Sequence, residues 1–199
     1  MATTASPYGF VPYRRLGSGV NNGATSRYSI ANAYGNNIYY GDAVIRVGTG
    51  TIAQSTTITD LLVGIFQGCE WIDPVTKRPT WSAYFPSATS SAPDPSLPAN
   101  APIAYVADDP WLTFKVQANA SVSAGDVFAL FGITTGTNTS GSTLTGASGE
   151  TINVASRSTS NNQFRVIDVV SDPSNGWDSA FTDVEVQIVT HAYNTTAGL

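Results

Sequence analysis

A two-residue hydrophobic period is the feature that most narrows what this chain can become. Leu112, Phe114 and Val116 alternate with Thr113, Lys115 and Gln117, and the period returns in Val184, Val186 and Ile188 against Glu185 and Gln187. Successive side chains of a strand point to opposite faces, so each run makes a strand with one apolar and one polar side. No window sustains the 3.6-residue period of an amphipathic helix over three turns. The strand candidates, these two runs included, are Ile38 to Tyr40, Ala43 to Val47, Leu62 to Gln67, Ile103 to Val106, Trp111 to Ala118, Val127 to Ile133, Thr151 to Ala155, Phe164 to Val170 and Asp183 to Tyr193. Turn signals at Gly41-Asp42, Asp73-Pro74, Gly125-Asp126 and Ser174-Asn175-Gly176 lie between them. The expected fold is all-β, a single β-sandwich or barrel with an extended N-terminal arm and two long loop insertions.

The arm is residues 1–27. Its run Pro7-Tyr8-Gly9-Phe10-Val11-Pro12-Tyr13-Arg14-Arg15 has neither period, and its glycines and prolines forbid a long helix. Residues 28–199 form the β-domain, with insertions at 86–102 and 134–163. The first carries five prolines, which favours an ordered polyproline-like crossing or a surface loop. The second is rich in Gly, Thr, Ser and Asn and reads as an exposed excursion or a partner-facing hairpin, anchored by Leu144, Ile152 and Val154.

Charge separates the two regions. Up to Gly41 the chain holds Arg14, Arg15 and Arg27 and no acid, whereas the remainder holds 6 basic and 14 acidic residues. A net charge of −5 disfavours nucleic acid and anionic membranes as partners of the β-body. Charged residues are only 12% of the chain, against 24 Thr, 21 Ser and 13 Asn, so hydroxyls and amides solvate the surface. No run approaches the roughly 18 apolar residues of a membrane-spanning helix, and the opening lacks a secretory signal pattern.

Catalytic groupings are sparse. Asp108-Asp109-Pro110 puts adjacent carboxyls on opposite sides of an extended chain and reads as a turn before Trp111. Asp172-Pro173-Ser174-Asn175 reads as an Asp-Pro turn and lacks calcium-loop spacing. The one histidine, His191, reads as a strand-face residue, and the one cysteine, Cys69, as a buried small hydrophobe that can form no intrachain disulfide. Gly17-Ser18-Gly19 lacks the lysine and the flanking strand and helix of a phosphate loop. Trp71, Trp81, Trp111 and Trp177 serve either as core and rim anchors or as a sugar-binding face. Three sequons, at Asn119, Asn138 and Asn194, are what this composition gives by chance. No catalytic residue, metal or cofactor is expected.

Taken together, the opening Pro-Tyr-Gly-Phe followed by Pro and Arg, Ile38-Tyr39-Tyr40-Gly41-Asp42-Ala43-Val44, Leu62 to Cys69, Tyr84-Phe85-Pro86, Val106 to Pro110, Phe164-Arg165-Val166-Ile167 and His191-Ala192-Tyr193 form a pattern. It resembles small structural proteins of tailed bacteriophages, of the type found beside the major capsid gene, the capsid decoration (cement) proteins. The resemblance implies a non-enzymatic virion protein made in the host cytoplasm and bound to the outer capsid surface. There it would stabilise joints between major capsid subunits, with the major capsid protein as partner and trimers on the shell. The alternative is a receptor- or glycan-binding β-module of a phage tail or fibre, with a hydrolase as a third class. For the decoration reading the expected capsid or subunit interface is Tyr8, Phe10, Tyr13, Arg14 and Arg15. The rings would supply buried area, and the guanidinium groups would pair with carboxylates of the neighbour.

Overall fold

The computed structural model describes residues 4–17, 20–91, 101–134 and 141–194. Among them twelve strands form: β1 (Val11–Arg15), β2 (Ser26–Ser29), β3 (Ala43–Arg46), β4 (Ile52–Gln54), β5 (Leu62–Ile72), β6 (Pro79–Ser82), β7 (Ile103–Ala107), β8 (Leu112–Gln117), β9 (Leu130–Ile133), β10 (Ile152–Ser158), β11 (Phe164–Val169) and β12 (Asp183–Ile188). They make two antiparallel sheets. The first runs β1-β8-β12-β11-β9-β10, and the second runs β2-β7-β5-β3-β4 with β6 added on the far half of β5. Neither sheet closes on itself, so the fold is a sandwich and not a barrel.

The two alternating runs read from the sequence are partners. Phe114 sits opposite Val186 and Val116 opposite Val184, so their apolar sides form one continuous floor. Phe131, Phe164 and Val166 extend it, and Ala43, Leu62, Ile65 and Ala107 of the second sheet close it from above. The second sheet is covered on its other face too. There Val44, Val63, Phe66, Cys69, Ala104 and Val106 pack against Ile30, Ile38 and Phe85 from the connecting segments. A strand buried on both faces must be apolar at successive positions, which is why Leu61 to Phe66 runs without alternation.

Close strand packing makes one glycine obligatory. A Cβ at Gly64 would stand 2.3 Å from the Ala107 carbonyl oxygen and 2.8 Å from Val106 Cγ1. A carbonyl inside a paired strand cannot withdraw, so Gly64→Ala is expected to cost about 2 kcal/mol. Urea unfolding checks it: the midpoint falls at an unchanged slope, and an unmoved midpoint would contradict the packing.

The arm lies on its own domain: residues 11–15 pair with β8, residues 26–29 pair with β7, and Phe10 is fully buried. The edge of β8 would otherwise be an unpaired ladder, and a segment far upstream in the same chain fills it. Ile38 to Tyr40 makes isolated bridges to Phe85 and Ala147 in place of a strand. Val127 to Ile133 is shortened by a 3-10 turn at Ala124–Asp126 and by Phe128, whose φ of 67° breaks the extended run. Asp183 to Tyr193 ends as a strand at Ile188, because the Leu62 N–H takes the Thr190 carbonyl and a 3-10 turn follows at Ala192–Asn194. The short β4 and the proline-led β6 carried too little pattern to be read.

The insertions also differ from expectation. Of 86–102, residues 92–100 lie outside the described residues, as do 135–140 of the second, with the sequon at Asn138. The rest of the second insertion is built into the body. Ser148, Glu150 and Ile152 are buried, the Tyr40 N–H bonds the Gly146 carbonyl, and β10 pairs with β9. Leu144, read as an anchor, is instead exposed, whereas Ile152 lies in the core and Val154 packs against it.

Candidate functional site

The residues expected at an interface fall into two groups. Tyr8 and Phe10 are committed to their own domain. The Phe10 ring stacks on Phe164 at 4.4 Å with 13° between planes, and its N–H donates to the Gly41 carbonyl at 2.9 Å. The preceding Gly9, at φ 73°, passes so close to Ser148 that a Cβ would stand 2.6 Å from the serine Cβ. Tyr8 is partly buried, and its hydroxyl donates to Asp183 Oδ1 at 3.3 Å. Burial, with the Asp183 charge, raises the phenol's pKa above its ordinary value. The expectation that the Phe10 ring is offered to a neighbour is therefore corrected, while Tyr8 stays half-buried: a ring that finds an apolar slot in its own chain fills it without the entropy cost of association.

Tyr13, Arg14 and Arg15 are displayed on β1, the edge strand of the first sheet. Tyr13 is 44% exposed. The register slips between Pro12 and Arg15, a bulge that turns the strand locally. Arg14 grips Glu185 of β12 through both its Nε and Nη2, at 2.7 and 2.8 Å, and its backbone is held by the Thr113 hydroxyl. The Glu185 bond favours the protonated guanidinium. Arg15 donates to Asp109 at 2.7 Å. Both guanidinium groups thus meet carboxylates within their own chain, where sequence reasoning assigned those partners to a neighbour.

Around Arg15 the surface mixes polar and apolar groups. Val20 and Trp111, which sequence reasoning did not select for this site, are 85% and 52% exposed. A recess of about 200 Å³ is lined by Arg15, Val20, Asn21, Asn22, Asp109 and Leu112, with Trp111 between the last two in the chain. The Asp109 carboxylate also accepts the Trp111 N–H at 2.9 Å, the turn expected from Asp-Asp-Pro. Its neighbour Asp108 points the other way and accepts the hydroxyls of Ser26, Tyr28 and Tyr193. That contact fastens the 3-10 turn at Ala192–Asn194 to β2. Burial, then the Tyr193 and Asp108 hydrogen bonds, raises the pKa of Tyr28.

Two of the side chains weighed for chemistry, His191 and Cys69, are buried. His191 lies beyond the end of β12, not on a strand face, and is buried. Its Nδ1 accepts the Tyr193 N–H at 3.1 Å, and burial lowers its pKa. Cys69 is buried in the second core, and burial pushes its thiol up to about 12. Asp172 closes a turn through the Ser174 N–H, as its sequence implies. Among the described residues no three His, Cys, Asp or Glu are grouped to hold a metal ion. Asp42 and Glu150 are both buried: the Tyr39 N–H donates to Asp42, and the N–H of Ala43, the residue after Asp42, donates to Glu150. Lying 108 positions apart in the chain, they had no local pattern to announce them.

Comparison of the chain with protein-family models, with curated proteins and with solved structures finds no match.

Proposed function

We propose that this chain is a non-enzymatic structural protein of a tailed-bacteriophage virion. It binds the outside of the capsid and stabilises joints between major capsid subunits, as a trimer at the joint. The motif resemblance motivates the reading, and one observation supports it: an edge strand of the sandwich displays Tyr13 with Arg14 and Arg15, near the exposed Val20, which lines a recess with Arg15, and the exposed Trp111, whose carbonyl accepts the Leu16 N–H. Large apolar side chains flanked by arginine are what interface centres use, and the remaining surface of hydroxyls and amides suits a polar rim. A contact on the order of 1,600 Å² would be ordinary for such a joint. Repeated across a shell, modest affinity per copy adds up to resistance against internal DNA pressure.

Two measurements test this. In purified virions the chain should be present at a copy number comparable with that of the major capsid protein. A few copies confined to the tail would replace the reading with a tail or fibre module. In rebinding to undecorated capsids, Tyr13→Ala combined with Trp111→Ala is expected to weaken occupancy about tenfold or more, because both rings lose their contact area. The double variant keeps its cooperative melting, since both rings are solvent-facing. Unchanged occupancy would remove β1 as the contact.

A further inference from the structure

Sheet register places an aromatic platform on the second sheet, whereas β1 belongs to the first. Ala107, Tyr105 and Ile103 share one side of β7, and Ala107 enters the core between the sheets. Across the ladder, Arg27 of β2 lies opposite Tyr105, Tyr105 lies opposite Gly68 of β5, and Trp81 of β6 lies opposite Glu70. These residues occupy the same side of the second sheet beyond the part that meets the first. Trp81 is 64% exposed.

The platform is built by backbone features. Gln67 is an extra residue in β5, a bulge between Phe66 and Gly68. Gly68 adopts φ 133°, and a Cβ there would stand 3.1 Å from the Ser82 carbonyl. The bare glycine lets the Trp81 ring reach over β5 and stack on Tyr105 at 5.6 Å, 19° from parallel. One side of the indole is thus held by Tyr105. Arg27 lies 5.9 Å over the Tyr105 ring and pairs with Glu70 at 2.5 Å. Beside the rings opens a groove of about 490 Å³, lined by Thr25, Gln67, Gly68, Ser82 and Ala83 with the two rings.

We infer that this groove binds a neutral saccharide chain, its sugar ring lying on Trp81. Charge complementarity selects the ligand. Among the described residues no charged side chain lines the groove, and Arg27 and Glu70 beside Tyr105 pair with each other, so an anionic or cationic ligand meets no free counter-charge there. Two hydroxyls and an amide, from Thr25, Ser82 and Gln67, offer donors and acceptors of the kind that sugar hydroxyls use. An indole plane matches the apolar C–H face of a pyranose, and its stacking needs no charge. The groove shares no lining residue with the recess beside Arg15, so this inference stands whether or not the β1 edge binds a capsid.

Titration of the full-length protein with cellohexaose, maltohexaose and chitohexaose tests it, with polygalacturonate as the anionic probe. Tryptophan fluorescence and amide chemical shifts report binding. At least one neutral hexasaccharide is expected to bind saturably below about 10 mM, with shifts centred on Gly68, Ser82 and Tyr105. Trp81→Ala should weaken that binding about tenfold or more, and Trp81→Phe less, because a smaller ring keeps part of the stack. Both variants keep the melting temperature, and Gln67→Ala gives a second test that leaves the platform in place. Absence of binding by all three neutral probes, binding unaffected by Trp81→Ala, or preference for polygalacturonate would each overturn the inference.

Discussion

Phe10→Ala is expected to lower the unfolding free energy by about 3–5 kcal/mol, the range for emptying an aromatic site in a packed core. The ring is fully buried among both sheets and stacks on Phe164. Around it, Gly9 and Gly41 allow two backbones to approach: a Cβ on Gly41 would stand 3.0 Å from the Phe10 nitrogen. Relaxation of this site is therefore limited, and the cavity persists. Deleting residues 1–19 goes further. It removes Phe10, strips β1 from β8 and leaves the Glu185 carboxylate, 3% exposed, without Arg14. The truncated chain is expected to lose cooperative melting or to melt far below the full chain by circular dichroism. A truncated protein that melts like the full chain would show that the N-terminal segment is an appendage. The same result sets a condition on capsid-binding tests, which must use point variants at exposed positions such as Tyr13.

Stability is expected to decline as pH rises from mildly acidic to alkaline, and Glu150→Gln is expected to remove much of that decline. Burial, and after it the charge of Asp42, raises the Glu150 pKa well above its ordinary value of 4.5. The folded state thus holds this proton more tightly than the unfolded chain does. Its contribution is complete below the unfolded value and is lost as pH climbs through the folded one. Asp183, raised chiefly by burial, acts in the same direction. At the acidic end the sign reverses. The pKa values of Asp60 and Asp126 are lowered against the opposing effect of burial: Thr57, Ser55 and Thr56 hydrogen bonds act on Asp60, and Ser123 and Arg157 act on Asp126. Stability falls when they are protonated. Maximum stability is therefore expected at mildly acidic pH. In the amide variant the carbonyl oxygen still accepts the Ala43 N–H while no proton is lost on alkalinisation. Asp42→Ala is the damaging counterpart, because the Tyr39 N–H and the Gln54 amide both donate to its Oδ2. Stranding two buried donors costs roughly 1–3 kcal/mol each. Urea midpoints across pH check both variants, and an undiminished pH slope in Glu150→Gln would exclude the buried proton.

The strands that were readable share a cause. Leu112, Phe114 and Val116 face one core on one side only, so burial wrote a period of two into the residues. Leu62 to Phe66 was readable as a strand through its continuous apolarity, although that pattern alone does not say which two layers cover it. Val11–Arg15 had no such signature, because it pairs at an edge, slips register at a bulge and keeps most of its side chains outside. Its aromatics were legible as rings needing a partner, but not the partner. At the candidate site, Tyr13, Arg14 and Arg15 were legible from type and position, while Trp111 and Val20 join them only through the β1–β8 pairing. The Trp81 platform likewise needed the β2-β7-β5-β6 register.

An all-β chain with few ionic surface residues followed from local pattern and composition, because strand faces and turns impose their chemistry residue by residue. The identity of long-range neighbours did not. Phe10 against Phe164, Glu150 against Asp42 and Trp81 against Tyr105 are each joined across at least two dozen residues, at distances where alternation carries no information about which strand lies next to which. Those pairings come from the competition of whole sheets to cover their faces and fill their edges. That competition turned an apparent arm into the first strand of the sandwich.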